Sequence, residues 1–219
     1  MEILKGVDAG LPGGVVTAVV GPSGAGKSTL LRALNRLIEP TAGEVYLDGQ
    51  PTSVMDPLEL RRRVGMVFQL PALFGETVEE ATIYGAWLAG KEADAGRYLE
   101  MAGLDASFAG RDPGVLSVGE QQRVSIARAL ALEPEALLMD EPTSALDEAA
   151  RRRIEELVRE LNASLGLTIV VVSHDLDQVS RVADRVVVLV DGRSEGEWGT
   201  DEFFSGPGEK ARRYISGRS

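Results

Sequence analysis

The sequence has no cysteine among its 219 residues, which excludes disulfides and thiolate metal sites outright. That absence agrees with a reducing cytoplasm. There is one histidine, His174, and only 5% of residues are aromatic. Long apolar runs are also missing. "LTIVVV" and "VVVLV" are strand-sized, far short of the roughly 18–20 residues of a spanning helix. A role at a membrane therefore has to come through a partner. The N-terminus "MEILKGVDAG" lacks the basic and then apolar stretches of a secretory signal. Basic charge is in deficit too: 23 Lys and Arg against 34 Asp and Glu leave a net charge of −11, which argues against a nucleic-acid surface.

What is present reads as an ordinary globular chain, with 44% hydrophobic and 26% charged residues. Short β-branched runs alternate with helical patterns, which predicts an α/β fold around a largely parallel sheet. Strands are expected at 14–20, 44–48, 64–68, 136–140, 167–173 and 184–190, and helices at about 27–37, 119–131, 148–164 and 175–182. The helix "DEAARRRIEELVRELNASLG" is acidic at its start, apolar at Ile154, Leu157, Val158 and Leu161, and followed by Gly166. Between Gln69 and Leu116 the composition is helical without a strand run, so a helical insertion is expected there. The ending "GTDEFFSGPGEKARRYISGRS" is too short for a further domain.

"GPSGAGKST" (21–29) satisfies G-x-x-x-x-G-K-[ST] and lies between the strand "VVTAVV" and the helix "KSTLLRALNRL". Gly21, Gly24 and Gly26 let the loop, which also holds Pro22, Ser23, Ala25 and Thr29, turn successive N–H groups around an anion. The positive end of the following helix adds to the field. Lys27 is placed to reach β- and γ-phosphates, and Ser28 to ligate Mg²⁺. The alternative is a glycine-rich turn with a chance lysine. "ALLMDE" (136–141) is an apolar strand ending in two acids. Asp140 suits a metal, and Glu141 suits orienting a water for attack. Gln69 and His174 also end strands, where sheets of this class open their ligand crevice. His174 alone would more often be structural. At a crevice edge it becomes a candidate catalytic group, and Gln69 a candidate Mg²⁺ or water ligand.

"LSVGEQQRVSIARAL" (116–130) poses a different question. "SVGE" reads as a capping box, with Ser117 as N-cap and Glu120 three residues on. The same glycine- and polar-rich start also suits binding. Taken together, the motifs make the sequence resemble the ATP-binding cassette (ABC) subunit of ABC transporters over nearly its whole length. "GPSGAGKST" is similar to that family's Walker A loop, "FQ" (68–69) to its Q-loop, "LSVGEQQR" to its signature, and "ALLMDE" to its Walker B. "SALD" (144–147) is similar to its D-loop and "SH" (173–174) to its switch histidine.

The resemblance implies a P-loop NTPase fold with a small antiparallel β part near the N-terminus. It also implies a RecA-like core over 1–70 and 132–219 and a helical subdomain over about 71–131. It implies ATP and Mg²⁺ as ligands and ATP hydrolysis through Glu141, His174 and Lys27. Metal ligation would fall to Ser28, Gln69 and Asp140. A second copy of the chain would pack head to tail, so that Ser117, Gly119 and Glu120 meet the partner's ATP in trans, with Asp147 coupling the two sites. The implied partners are a membrane permease and, for an importer, a solute-binding protein, with no nucleic acid. The implied location is peripheral, on the cytoplasmic face of the cell membrane.

Two departures stand out. The family usually shows LSGGQ, whereas Val118 and Glu120 here restrict the backbone and set an anion beside an anion, which points to weaker closure. The family also places an adenine-stacking aromatic before the segment matching "ILKGV", yet no aromatic precedes Tyr46. Either base selectivity is poor or the true start lies upstream. "LLRALNRL" and "RRYISGRS" are similar to phosphate-importer cassettes, while "LFGETV" and the compact insertion are similar to cassettes of metal exporters. The expectation leans to import of an inorganic ion. A soluble ABC-type ATPase outside transport is the alternative, disfavoured because no coiled-coil insertion or second cassette is present. A non-hydrolysing sensor is disfavoured by Asp140, Glu141 and His174.

Overall fold

The run "VVTAVV" sits at the centre of the fold, where Val16–Val20 are buried on both faces of a sheet. In the computed structural model, which describes residues 2–206, the elements follow one another as β1 (Val16–Val20), α1 (Lys27–Leu34), β2 (Tyr46–Leu47), β3 (Gln50–Pro51), α2 (Pro57–Arg63) and β4 (Val64–Val67). Next come α3 (Val78–Leu88), α4 (Ala95–Met101), α5 (Val118–Leu130), β5 (Ala136–Asp140), α6 (Glu148–Leu165) and β6 (Thr168–Val172). The described chain ends with α7 (Leu176–Val182), β7 (Arg185–Val190), β8 (Arg193–Gly199) and α8 (Thr200–Ser205). The ending "RRYISGRS" lies outside the described residues.

The main sheet has six strands in the order β4-β5-β6-β1-β7-β8. All neighbours are parallel except β7 and β8, which pair antiparallel with a register shift at Val188/Leu189. β2 and β3 form a separate two-stranded antiparallel hairpin. Alternation along the strands divides the core. Ala18, Val20, Leu137, Met139, Ile169 and Val171 face one layer with α3 to α7, while Val19, Leu138, Val170 and Val172 face the other with Leu30, Leu31 and Leu60. Helices on both faces explain why these strands read as continuous apolar runs. Ile154, Leu157, Val158 and Leu161 bury one stripe of α6, each contributing about 1.5–3 kcal/mol. A bidentate Arg181–Glu155 pair ties α6 to α7.

The expected strands and helices are all found, with shifted ends. α1 stops at Leu34 rather than 37, because Asn35 caps it and Arg36 turns left-handed at φ 54°. The run 44–48 shortens to β2. Four elements had no sequence expectation: β3, α2, β8 and α8. Between Val67 and Ala136 only helices and short 3-10 turns occur, in keeping with a helical insertion.

Candidate functional site

Parallel strands bring their carboxyl ends to one edge, and the sequence motifs ride on those ends. The loop after β1 carries Gly21–Gly26. A Cβ on Gly21 would lie 1.9 Å from the carbonyl oxygen of Leu189, so only glycine lets the loop pass β7. Gly26 sits at φ 98° and starts α1, with Ile3 and Leu4 packed over it. Lys27 is buried and donates to the carbonyls of Gly21 (2.8 Å) and Pro22 (3.0 Å). Burial pushes its pKa down, while Glu141 and Asp140 pull it up. The cation is thus folded against a loop that lines a cleft of about 630 Å³. Ser23, Gly24, Gly26, Lys27, Ser28, Thr29, Gln69 and Glu141 all line that cleft, with Ile3 and Lys5 at its margin.

Asp140 ends β5 in a buried position, and its Oδ1 accepts a 2.7 Å hydrogen bond from the Ser28 hydroxyl. A hydroxyl and a carboxylate held this close form the start of a hard, all-oxygen donor set that suits Mg²⁺. Glu141 follows at φ 46°, a left-handed conformation that is strained for a side chain and costs of order 1–3 kcal/mol. Its carbonyl is held by the backbone amide (3.2 Å) and the hydroxyl (3.1 Å) of Ser144. Oε2 of Glu141 lies 3.4 Å from Nδ1 of His174, which follows β6 and is otherwise exposed. Gln69, just past β4, donates to the Ser144 hydroxyl at 3.1 Å. Gln69, Ser144, Glu141 and His174 therefore form one connected line across the ends of β4, β5 and β6.

The start of α5 is built as the sequence predicts. Ser117 accepts from the amide of Glu120 at 3.3 Å, and Glu120 accepts from both the amide (2.8 Å) and the hydroxyl (2.7 Å) of Ser117. Those two bonds hold the Glu120 carboxyl below the usual range. Gly119 is buried against α6, where an added Cβ would lie 2.9 Å from that of Ala150. Asp147 caps α6 by accepting from the Ala150 amide at 2.8 Å. None of Ser117, Gly119, Glu120 and Asp147 lines the phosphate-loop cleft. The structure thus gathers Gly21–Thr29, Gln69, Asp140, Glu141 and His174, and keeps the signature residues apart from them.

Two features went unseen in the sequence. Thr143, Ser173 and Gln178 form a buried polar cluster behind Glu141; only the "DEPTS" context of Thr143 hints at it. A second groove of about 280 Å³ lies beside Gln69, lined by Phe68, Phe74, Tyr84 and Arg128. Phe74 and Tyr84 rings meet at 5.6 Å and Tyr84 and Trp87 at 6.2 Å, yet Trp87 is 67% exposed and Phe74 55%. Gln122 of α5 donates to the carbonyl of Phe68 at 2.9 Å, linking the signature helix to this groove.

Residues 4–144 match the family model described as ABC transporter. The chain is 49% identical to Protein STAR1 of Oryza sativa subsp. japonica over 98% of its own length and 63% of that protein's. It therefore spans less than two thirds of that relative. It is 45% identical to the methionine import ATP-binding protein MetN of Caulobacter vibrioides (97% of this chain, 67% of that one). Identity to the phosphate import ATP-binding protein PstB 2 of Natronomonas pharaonis is 41% (98% and 81%). Among solved structures, the dimeric post-hydrolysis state of the ATP-binding cassette MJ0796 bound to ADP and Pi matches with a TM-score of 0.79 at 37% identity, covering 90% of both chains.

Proposed function

The chain belongs to the ABC transporter family as its ATP-binding ATPase domain, and we propose that it powers solute import through a separate membrane permease. The observation that carries this reading is the split of the site. Phosphate loop, Asp140–Glu141 and His174 converge at one sheet edge, while Ser117, Gly119 and Glu120 line none of their cleft. A second copy packed head to tail completes each site with its own α5 start, whose positive end faces the γ-phosphate. The dimeric MJ0796 cassette is similar to this chain at 37% identity and supports that assembly.

In this mechanism the loop amides from Ser23 to Thr29 cradle the phosphates, and Lys27 leaves its carbonyl partners for β- and γ-oxygens. Ser28, Asp140 and Gln69 would hold Mg²⁺, which would supply charge neutralisation on the phosphates. Glu141 orients water for in-line attack, and His174, held near Glu141, stabilises the transferring phosphoryl group. Asp147 lies at the start of α6 beside Gly119 and couples the two sites. In this reading the core takes in the described residues of 1–70 and 132–219, with the helical subdomain over about 71–131.

The permease docks on the groove beside Gln69. Exposed aromatics this contiguous mark an interaction surface, and Gln122 connects them to the signature helix. No described helix is long and apolar enough to cross a membrane; in this reading the groove contact attaches the chain to the cytoplasmic face. MetN and PstB 2 are similar to the chain at 45% and 41% identity. Those values support import of a small solute and give no preference for phosphate over an amino acid. The substrate is chosen by the permease and any solute-binding protein. Phosphate release from ATP tests the reading: the wild type hydrolyses ATP, and E141Q binds it without turnover. Stimulation by DNA or ribosomes, with no polytopic protein co-purifying, would overturn the transport role.

A further inference from the structure

Glu141 and His174 lie on separate strand ends, yet one buried side chain bonds to both of the segments that carry them. The Nε2 of Gln178 donates to the Thr143 hydroxyl at 2.9 Å, and its Oε1 accepts from the Ser173 hydroxyl at 2.7 Å. Thr143 follows Glu141 with only Pro142 between, and Ser173 directly precedes His174. One amide thus grips the neighbour of each member of the pair. Gln178 is itself anchored, because its backbone amide donates to Asp175 at 3.1 Å and the Asp175 amide donates to Ser173 at 3.0 Å. Gln178 and Ser173 are 3% exposed and Thr143 is 6% exposed, so these bonds form in a largely desolvated setting. All three side chains, with Glu141 and His174, enclose one small polar cavity of about 50 Å³.

We infer that Gln178 is a positioning residue for hydrolysis, holding Glu141 and His174 in register across β5 and β6 through Thr143 and Ser173. The inference rests on the roles of Glu141 and His174 given under Proposed function. Two features make such a clamp necessary. Glu141 occupies a strained left-handed conformation at φ 46°, which persists only where its surroundings fix it. Among the described residues the His174 side chain is placed only by the 3.4 Å approach to Glu141, so its position depends on the backbone around Ser173. A carboxyl–imidazole spacing of 3.4 Å is then set by residues that do not line the phosphate-loop cleft.

The substitution series uses shape-matched changes. T143V keeps the volume and removes the hydroxyl, T143S keeps the hydroxyl, and Q178L keeps the length and removes the amide. Steady-state phosphate release is measured against ATP concentration at a temperature where melting curves show every variant folded. T143V and Q178L lower kcat by about 10- to 100-fold with KM within about 3-fold of wild type, since misplacement acts on the transition state more than on binding. T143S stays within about 3-fold of wild type, and T143V/Q178L is no slower than either single variant, as expected of one shared contact. Wild-type turnover in folded T143V, an equal loss in T143S, or additive losses in the double variant would overturn the inference. Should Q178L fail to fold, the T143V–T143S pair decides alone. Absence of ATPase in the wild type, or full activity in E141Q, would instead overturn the functional reading.

Discussion

Nδ1 of His174 lies 3.4 Å from Oε2 of Glu141, joining the ends of β6 and β5 across the mouth of the nucleotide cleft. Neither side chain is near the other in sequence; Glu141 lines the phosphate-loop cleft and His174 stands beside it. H174A should lower kcat by about 10²- to 10⁴-fold with ATP affinity retained. Single-turnover phosphate release together with equilibrium binding of a fluorescent ATP analogue separates the two effects.

Ser28 and Asp140 share a 2.7 Å hydrogen bond at the base of the same cleft. S28A and D140N each remove one oxygen function from the donor set that fits Mg²⁺. The Mg²⁺ concentration for half-maximal hydrolysis should rise by about 10-fold or more, corresponding to at least ~1.4 kcal/mol. A Mg²⁺ titration at saturating ATP measures it, and an unchanged midpoint in both variants would exclude these residues from the metal.

Glu120 supplies a pH dependence. Its carboxyl is held below the usual range chiefly by the Ser117 hydroxyl and amide, with Arg123 and Arg111 adding to the effect. A carboxylate with a depressed folded value adds stability above the ordinary glutamate value of about 4.3 and loses it as pH falls through the folded value. Wild type should therefore melt higher than E120Q near neutrality. The gap should close as pH falls below about 4, and melting curves across that range read it directly. In the dimer the same change removes an anion beside phosphate, so E120Q in the E141Q background should tighten ATP-dependent association.

Gly119 meets Ala150 where α5 starts against α6. Alanine at a helical glycine normally gains up to about 1 kcal/mol. Here the added Cβ would lie 2.9 Å from a fixed one, and overpacking of about 1–3 kcal/mol outweighs that gain. G119A should melt lower than wild type. A150G should recover part of the loss only in that background, a coupling that a double-mutant cycle isolates.

The aromatic groove beside Gln69 predicts a separation of activities. W87S and F74S should abolish co-purification with the permease while the isolated chain still hydrolyses ATP. Wild-type recovery of the complex in both variants would move the docking surface elsewhere.

The legible parts of this protein were those governed by local pattern. Apolar runs marked β1, β5, β6 and β7 because a sheet covered on both faces needs continuous hydrophobic residues. The 3.6-residue stripe and terminal glycine marked α6, and the glycine spacing marked the phosphate loop. β8 stayed hidden because "RSEGEWG" is a half-exposed edge strand with no apolar alternation. α2 did carry a start signal, since Asp56 accepts from the amides of Leu58 and Glu59 ahead of Pro57, but the helix buries only Leu60 and has no stripe. Gln178 was invisible for a different reason. Its partners are Thr143, in another part of the chain, and Ser173, and no local period encodes a contact between residues 143 and 178. The separation of Ser117 from the phosphate cleft, by contrast, was already implied by the family resemblance, which sets Ser117 against a partner's ATP.

The central claim is that each nucleotide site is completed by a second copy of the chain. Light scattering of E141Q with and without Mg·ATP tests it most directly, because this variant keeps the nucleotide-binding residues and blocks turnover. The account predicts a mass of 23.4 kDa without nucleotide and an ATP-dependent dimer with it, lost again in S117F. A variant that binds ATP and remains monomeric at every concentration would contradict it.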